Sequence, residues 1–388
     1  MDRRNFLSVT GTLTGGALLL PDFLFSYGKR PQLITGEQSV VFIQLNGGND
    51  GLNTYIPIDD PLYHEARPAI GLSRDKVIGK HRGMAFHPAL KGFAKIQQQG
   101  DLTVIQNVGY PHPNRSHFRS REIWQTASPA DKYLNEGWLG RYLDLQCRDH
   151  NPTAGINLDN TDNLALLAGE PNFITVKNPN QFKYKNTEAR QTRLSETPQL
   201  DFARKIANSV TEGSEQIQQA LKRSASPGDY PKTELGRNLQ WIARLIKGNL
   251  NTKVYYTSIS GFDTHNNQLG LHARQLTQVN DAVYGFYKDL KHSSLLQNTT
   301  VVIFSEFGRR VRDNGKGTDH GTAAPMFIIG GNNRGKVIGD NPDLADLDNG
   351  DLKHKTDFRS VYAALLQQKL DFDYRQIGID NKPLTGVF

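Results

Sequence analysis

The 388-residue chain carries 46 Lys and Arg against 39 Asp and Glu, a net charge of +7, with 37% hydrophobic and 9% aromatic residues. That balance excludes a disordered chain, and no apolar run beyond the N-terminal stretch reaches membrane-spanning length. The positive charge is spread rather than gathered into a patch, which argues against nucleic acid as a partner and leaves a mild bias toward anionic ligands.

The chain begins Met1-Asp2-Arg3-Arg4-Asn5-Phe6-Leu7 and continues as an apolar stretch to Phe25 that is diluted by glycine and threonine. This layout predicts a twin-arginine signal over residues 1–28, handled by the twin-arginine translocation machinery and leading to a periplasmic or extracellular location. Ser26-Tyr27-Gly28 places small residues where a signal peptidase looks, so the mature chain is expected to start near Lys29. Such a route carries chains that are already folded. The single cysteine, Cys147, agrees with folding under reducing conditions without a disulfide.

Residues 29–388 are expected to form one α/β domain. Gln38 to Leu45 is a β-branched, apolar run ended by Asn46-Gly47-Gly48-Asn49-Asp50-Gly51, a buried strand feeding a tight polar loop. Similar strands are expected at Leu102–Ile105, Phe173–Val176, Val254–Ile259, Thr300–Phe304 and Met326–Ile329. Helical spacing of apolar residues falls between most of them, at Pro88–Gln98, Phe118–Ala127, Leu200–Ala225, Lys232–Lys247, Leu269–Leu290 and Phe358–Leu370. Alternation of this kind predicts a layered α/β fold with a mainly parallel sheet, whose ligand sites lie at the carboxyl ends of strands. Residues from about 178 to 248 lack strand signals and are expected to be a helical insertion. Asn332–Lys355, rich in Gly, Asn and Asp, is expected to be a long surface loop.

The polar residues of interest fall just after strands. Asp50 follows the first; Asp263, Thr264 and His265 follow the strand ending near Ser260; Glu306 follows Val301–Phe304; Asp319 and His320 precede Met326. Carboxylates and imidazoles gathered from several strand ends suit a divalent cation: zinc, or alternatively calcium or manganese, as one or two ions. Asn114-Arg115-Ser116-His117-Phe118 opens a helix. There Ser116 is either an N-cap or a nucleophile, and His117 either an acid or base or a core residue, while Arg115 could hold an anionic group.

These blocks carry a resemblance. Asn46-Gly47-Gly48-Asn49-Asp50-Gly51-Leu52-Asn53, Asn114 to Phe118, Gly261-Phe262-Asp263-Thr264-His265 with Gln268, Ser305-Glu306-Phe307-Gly308-Arg309, and Gly317-Thr318-Asp319-His320-Gly321 resemble the signature blocks of the uncharacterised bacterial family called domain of unknown function 1501. That family is similar to the alkaline phosphatase and sulfatase superfamily. The resemblance implies a three-layer αβα sandwich, alkaline-phosphatase-like. It implies metal ligation by Asp50, Asp263, His265 and His320, and a nucleophile at Ser116. Two departures stand out. Asp263 and His265 are separated by one residue where the phosphatase pattern has three, and Glu306-Phe307 stands where an Asp-His pair is common. Phenylalanine cannot ligate, so a second ion would lose an imidazole.

The sequence therefore points to an exported, metal-dependent hydrolase of a small phosphate or sulfate ester. In this reading Ser116 attacks, Glu306 completes a site or acts as base, His117 moves protons, and Arg115 or Arg309 clamps the anionic oxygens. The alternative is a catalytically decayed binding or assembly protein on the same fold. A serine hydrolase without metal ranks last, because no Gly-x-Ser-x-Gly elbow is present.

Overall fold

The computed structural model describes residues 38–388 apart from 148–149, 184–197, 225, 227 and 334. The expected signal segment lies outside the described residues, as do residues 184–197 near the start of the expected helical insertion. Among the described residues nine strands form the central sheet: β1 (Ser39–Asn46), β2 (Leu102–Gly109), β3 (Gly155–Asn157), β4 (Phe173–Thr175), β5 (Val254–Ser260), β6 (Thr299–Phe304), β7 (Ala324–Gly330), β8 (Val337–Ile338) and β9 (Thr356–Asp357). Their spatial order is β8-β2-β7-β6-β1-β5-β3-β4, with β9 beside β2. Pairing is parallel except at β7, which runs antiparallel to both β2 and β6.

Helices are α1 (Pro61–Ala66), α2 (Lys91–Gln98), α3 (His117–Thr126), α4 (Trp138–Gln146), α5 (Pro198–Arg223), α6 (Glu234–Lys247), α7 (Gln268–His292) and α8 (Phe358–Lys369). The two-residue period of β1 explains how they are layered, because successive side chains point to opposite faces. Val41, Ile43 and Leu45 enter one core with residues of α2, α5, α6 and α7. Val40 and Phe42 enter the other with residues of α3, α4 and α8. The result is the three-layer αβα sandwich that the sequence leads one to expect. Phe42 is surrounded by the rings of Trp138, Tyr256, Phe304 and Tyr362, so burial alone favours it by about 1.5–3 kcal/mol.

Within the expected helical insertion, Leu235, Leu239 and Ile242 on one face of α6 are fully buried in the main core. One expectation is revised in detail: the segment after Asn332 is not all loop, since Val337–Ile338 adds a parallel edge to β2 and Leu347–Asp348 pairs with Asp351–Leu352.

β1, β5 and β6 are parallel and in register, with Asn46 opposite Ser260 and Gln44 opposite Phe304. Their carboxyl ends therefore emerge together. The three loops that follow carry Asp50, Asp263 and Glu306 to one rim of the sheet.

Candidate metal centre

Two glycines let the first of these loops approach the others. Gly47 has φ +117°, and a Cβ there would stand 2.4 Å from the Asp263 backbone nitrogen. Gly48 has φ +69° and lies flat against the Phe307 ring. Arg309 then ties the loops together from inside. Its Nε donates to the Gly48 carbonyl at 2.8 Å, its Nη1 to the Thr318 carbonyl at 3.0 Å, and its Nη2 to the carbonyls of Gly47 and Phe262 and to Asp263 Oδ1 at 2.6 Å. The guanidinium is buried and engaged on each of its nitrogens. Its geometry is that of an internal brace rather than the clamp for substrate oxygens expected from the sequence.

His320 arrives on the return of a tight excursion from β6. Gly308 N–H donates to the Thr322 carbonyl at 2.7 Å and Arg310 N–H to the Asp319 carbonyl at 3.0 Å, so Arg309 and His320 face each other as a β-bridge. His117, the first residue of α3, comes from the opposite layer. Asp263 and His265 follow β5. One ligand-capable atom from each of His117, Asp263 and His320 lies within 4.8 Å of the others, and His265 Nε2 stands 2.9 Å from Asp263 Oδ1 and 3.1 Å from His320 Nε2.

The hydrogen bonds on the far side of each ring decide what these imidazoles can do. His117 Nδ1 lies 2.8 Å from Glu306 Oε1, His265 Nδ1 2.9 Å from Asp319 Oδ1, and His320 Nδ1 2.8 Å from the Arg115 carbonyl. A carbonyl or carboxylate oxygen can only accept, so each Nδ1 carries the proton. In the neutral ring each Nε2 then presents a lone pair. His117 Nε2 is buried with no hydrogen-bond partner and lies 3.5 Å from Asp263 Oδ2. The Nε2 atoms of His265 and His320 lie 3.1 Å apart and 2.9 and 3.2 Å from Asp263 Oδ1. This is the arrangement in which an outer carboxylate or carbonyl fixes the tautomer of a metal-binding histidine. A divalent cation among the Nε2 atoms and Asp263 would satisfy all of them, and the donor set suits zinc better than calcium.

Electrostatics agree with a charged carboxylate at the centre. Partial burial opposes ionisation of Asp263, but the Arg309 guanidinium, with His320 and His265, holds its carboxyl down at about 2. The His265 ring likewise keeps Asp319 below the ordinary carboxylate range.

The other expected residues are placed as follows. Asp50 is fully buried; Arg67 Nη1 lies 2.6 Å from its Oδ2, Asn53 N–H donates to its Oδ1, and Gln268 Nε2 donates to Oδ2. It is engaged away from the imidazoles and its countercharge is an arginine. Glu306, expected to complete a metal site or act as a base, is buried and accepts from the Gly47 N–H at 2.9 Å as well as from His117; it aims the ring. Arg115, expected to bind the anion, reaches the buried Asp351 instead, and its carbonyl orients His320. Ser116 is exposed at the N-cap of α3, but its side chain makes no capping bond, and its backbone N–H donates to the Asn114 side chain at 2.8 Å. The sequence did not reveal the roles of Arg67 or Asp319; both lie in loops whose partners are distant in the chain.

A family model described as "Protein of unknown function (DUF1501)" matches residues 103–378. The chain belongs to this family. The matched DUF1501 segment contains His117, Asp263, His265, Glu306, Arg309 and His320, whereas the Asp50 loop precedes it. Among solved structures, the chain is similar to Ps i-CgsB at 11% identity and TM-score 0.44, over 89% of this chain and 75% of that one. It is similar to a protein in the alkaline phosphatase superfamily from Vibrio parahaemolyticus at 13% and 0.41, over 89% and 68%. It is also similar to the phosphonate monoester hydrolase of Agrobacterium radiobacter at 10% and 0.40, over 91% and 79%. No curated protein matches the chain. No helix among the described residues is long and apolar enough to cross a membrane.

Proposed function

We propose that this DUF1501 protein is an exported, metal-dependent hydrolase of phosphate or sulfate esters. The observation that carries the reading is the convergence on Asp263 of Nε2 atoms from imidazoles whose Nδ1 atoms are each fixed by an acceptor. His117, His265, His320 and Asp263 would hold one divalent ion, which when bound supplies a Lewis acid for the ester oxygens. One ion rather than two fits the site, since the Asp50 carboxylate already has the Arg67 guanidinium as its countercharge.

Ser116 supplies the nucleophile in this reading. Its hydroxyl is exposed beside His117, is not used as a cap, and sits at the amino end of a ten-residue helix, where developing negative charge is favoured. Glu306 keeps the His117 ring in one tautomer and one orientation. Phe307 packs against the rings of His117 and His320, with centroids 4.9 and 5.0 Å away, and shields that side of the site from water.

The test is hydrolysis of 4-nitrophenyl phosphate and 4-nitrophenyl sulfate by the full chain, after chelation and again after return of zinc, manganese or calcium. Turnover restored by one of these metals and lost in Ser116→Ala supports the assignment. Turnover indifferent to both chelation and metal would overturn it.

A further inference from the structure

Two of the three imidazoles, His117 and His265, are aimed by carboxylate side chains, whereas His320 Nδ1 donates to a backbone carbonyl, that of Arg115, at 2.8 Å. The aim of His320 therefore depends on where two backbone segments are held: the one that carries Arg115 and the one that carries His320 itself. A single side chain outside the cluster reaches toward both.

Asp351 belongs to the hairpin in which Leu347–Asp348 pairs with Asp351–Leu352, and its side chain is 1% exposed. Arg115 Nη2 donates to its Oδ2, and Arg310 Nε stands 3.5 Å from its Oδ1. Arg310 is also the residue whose backbone N–H donates to the Asp319 carbonyl at 3.0 Å, one position before His320. Its Nη1 donates to the Asn349 carbonyl of the hairpin. On the other side of His320, the Thr322 hydroxyl donates to the Leu352 carbonyl at 2.5 Å. The hairpin thus grips the His320 segment before and after the ring, and through Asp351 it grips Arg115, whose carbonyl the ring meets. Stability alone does not account for this carboxylate. Burial pushes the Asp351 carboxyl up although Arg115 and Arg310 oppose it, and its Oδ1 makes no hydrogen bond. A buried ion pair of that kind adds little net stability; what it supplies here is a fixed geometry.

We propose that Asp351 is a positioning residue for His320: it holds Arg115 and Arg310 so that the Arg115 carbonyl keeps the His320 proton on Nδ1 and Nε2 stays turned to Asp263. The hold on the ring needs no metal; its consequence for metal binding rests on the metal-centre reading. The test is Asp351→Asn in the full chain, with Asp348→Asn, an exposed carboxylate of the same hairpin, as control. The Arg115 and Arg310 side chains are 41% and 32% exposed, so water takes over both charges and the fold is expected to persist. The readout is the side-chain nitrogen spectrum of His320 in chelated protein at about pH 8, above the ordinary histidine value, assigned by its loss in His320→Ala. Wild type and control should show the Nδ1–H form, and Asp351→Asn a mixture of both tautomers. Zinc affinity by equilibrium dialysis should fall about tenfold in Asp351→Asn and not in the control, the lower end of the loss expected on removing an outer partner. An Asp351→Asn chain whose His320 keeps the wild-type tautomer overturns the proposal, whatever its melting temperature. Should Asp351→Asn fail to fold, Arg115→Gln, which keeps the carbonyl and removes the ion pair from its exposed end, decides by the same two readings. Wild type that takes up no zinc, with the tautomer change present, sinks the metal centre and spares Asp351; zinc uptake with an unmoved ring does the reverse.

Discussion

Two carboxylates follow neighbouring strands of one sheet, and their surroundings differ in what is left for a ligand. Asp50 is closed off: it is fully buried, paired with Arg67, and near His272, whose Nε2 lies 2.9 Å from the Asn49 side-chain oxygen and so carries the proton. Asp263 is 47% exposed at its side chain. It also has an arginine partner, but three imidazoles surround it, and His117 Nε2 among them has no hydrogen-bond partner. Around Asp50 the neighbouring groups are paired with one another, whereas beside Asp263 a ring nitrogen is left over. The difference lies in the outer hydrogen bonds.

The largest effect that separates the two regions is expected from Arg67→Ala. It leaves the Asp50 charge buried and unpaired, which costs about 3–5 kcal/mol. Urea unfolding is expected to move by that amount while the number of bound divalent ions per folded chain stays the same. At the other region the sign of the separation reverses. Glu306→Gln removes the carboxylate that aims His117, and loss of such a partner weakens metal affinity by about 10–100-fold. Equilibrium dialysis is expected to show that loss in a protein that still folds; unchanged affinity would remove Glu306 from its positioning role.

Acid sharpens the comparison by titrating the closed region. Burial pushes His87 down from 6.5 to about 4 and His272 from 6.5 to about 3, the Asp50 charge opposing it in both cases. Below the ordinary histidine value the unfolded chain binds protons that the folded chain refuses. The stability these rings contribute is therefore complete above that value and is lost as pH falls toward their folded values, by about 1.4 kcal/mol per pH unit for each. Urea midpoints measured from pH 6.5 to 4.5 in chelated protein should fall steadily; a flat profile would mean that the rings are already charged in the fold. The smallest expected change in stability is that of Ser116→Ala, within about 0.5 kcal/mol, because the hydroxyl caps nothing. Any larger loss in thermal unfolding would return Ser116 to a structural role.

The fold was legible because its signals are local. β1, β5 and β6 are short apolar runs with sharp polar ends, and the helices between them keep their apolar spacing, so boundaries fall within a few residues of expectation. α4 (Trp138–Gln146) and β3 (Gly155–Asn157) were not expected: α4 does carry buried apolar residues at helical spacing, Trp138, Leu139, Tyr142 and Leu143, whereas the Gly-Ile-Asn of β3 has one apolar side chain and no strand signal. The blocks that hold the site were equally visible, as loops after strands. Their internal assignment was not. Nothing local tells that Asp50 meets Arg67, that Arg309 turns inward to four backbone carbonyls and Asp263, or that Glu306 faces a ring from the other layer, since each is a contact across the fold. The missing imidazole at Phe307 is a further case. The imidazoles that pack on Phe307 are His117, supplied from the start of α3, and His320.

The most direct test of the central claim is the divalent-metal content of the full chain purified without added metal, set beside that of His320→Ala, with both refilled by zinc after chelation. The account predicts one ion per wild-type chain and an affinity at least tenfold weaker in the variant. Wild-type protein that takes up no stoichiometric ion, or a variant that binds it as tightly, would contradict the assignment of this cluster as a metal centre.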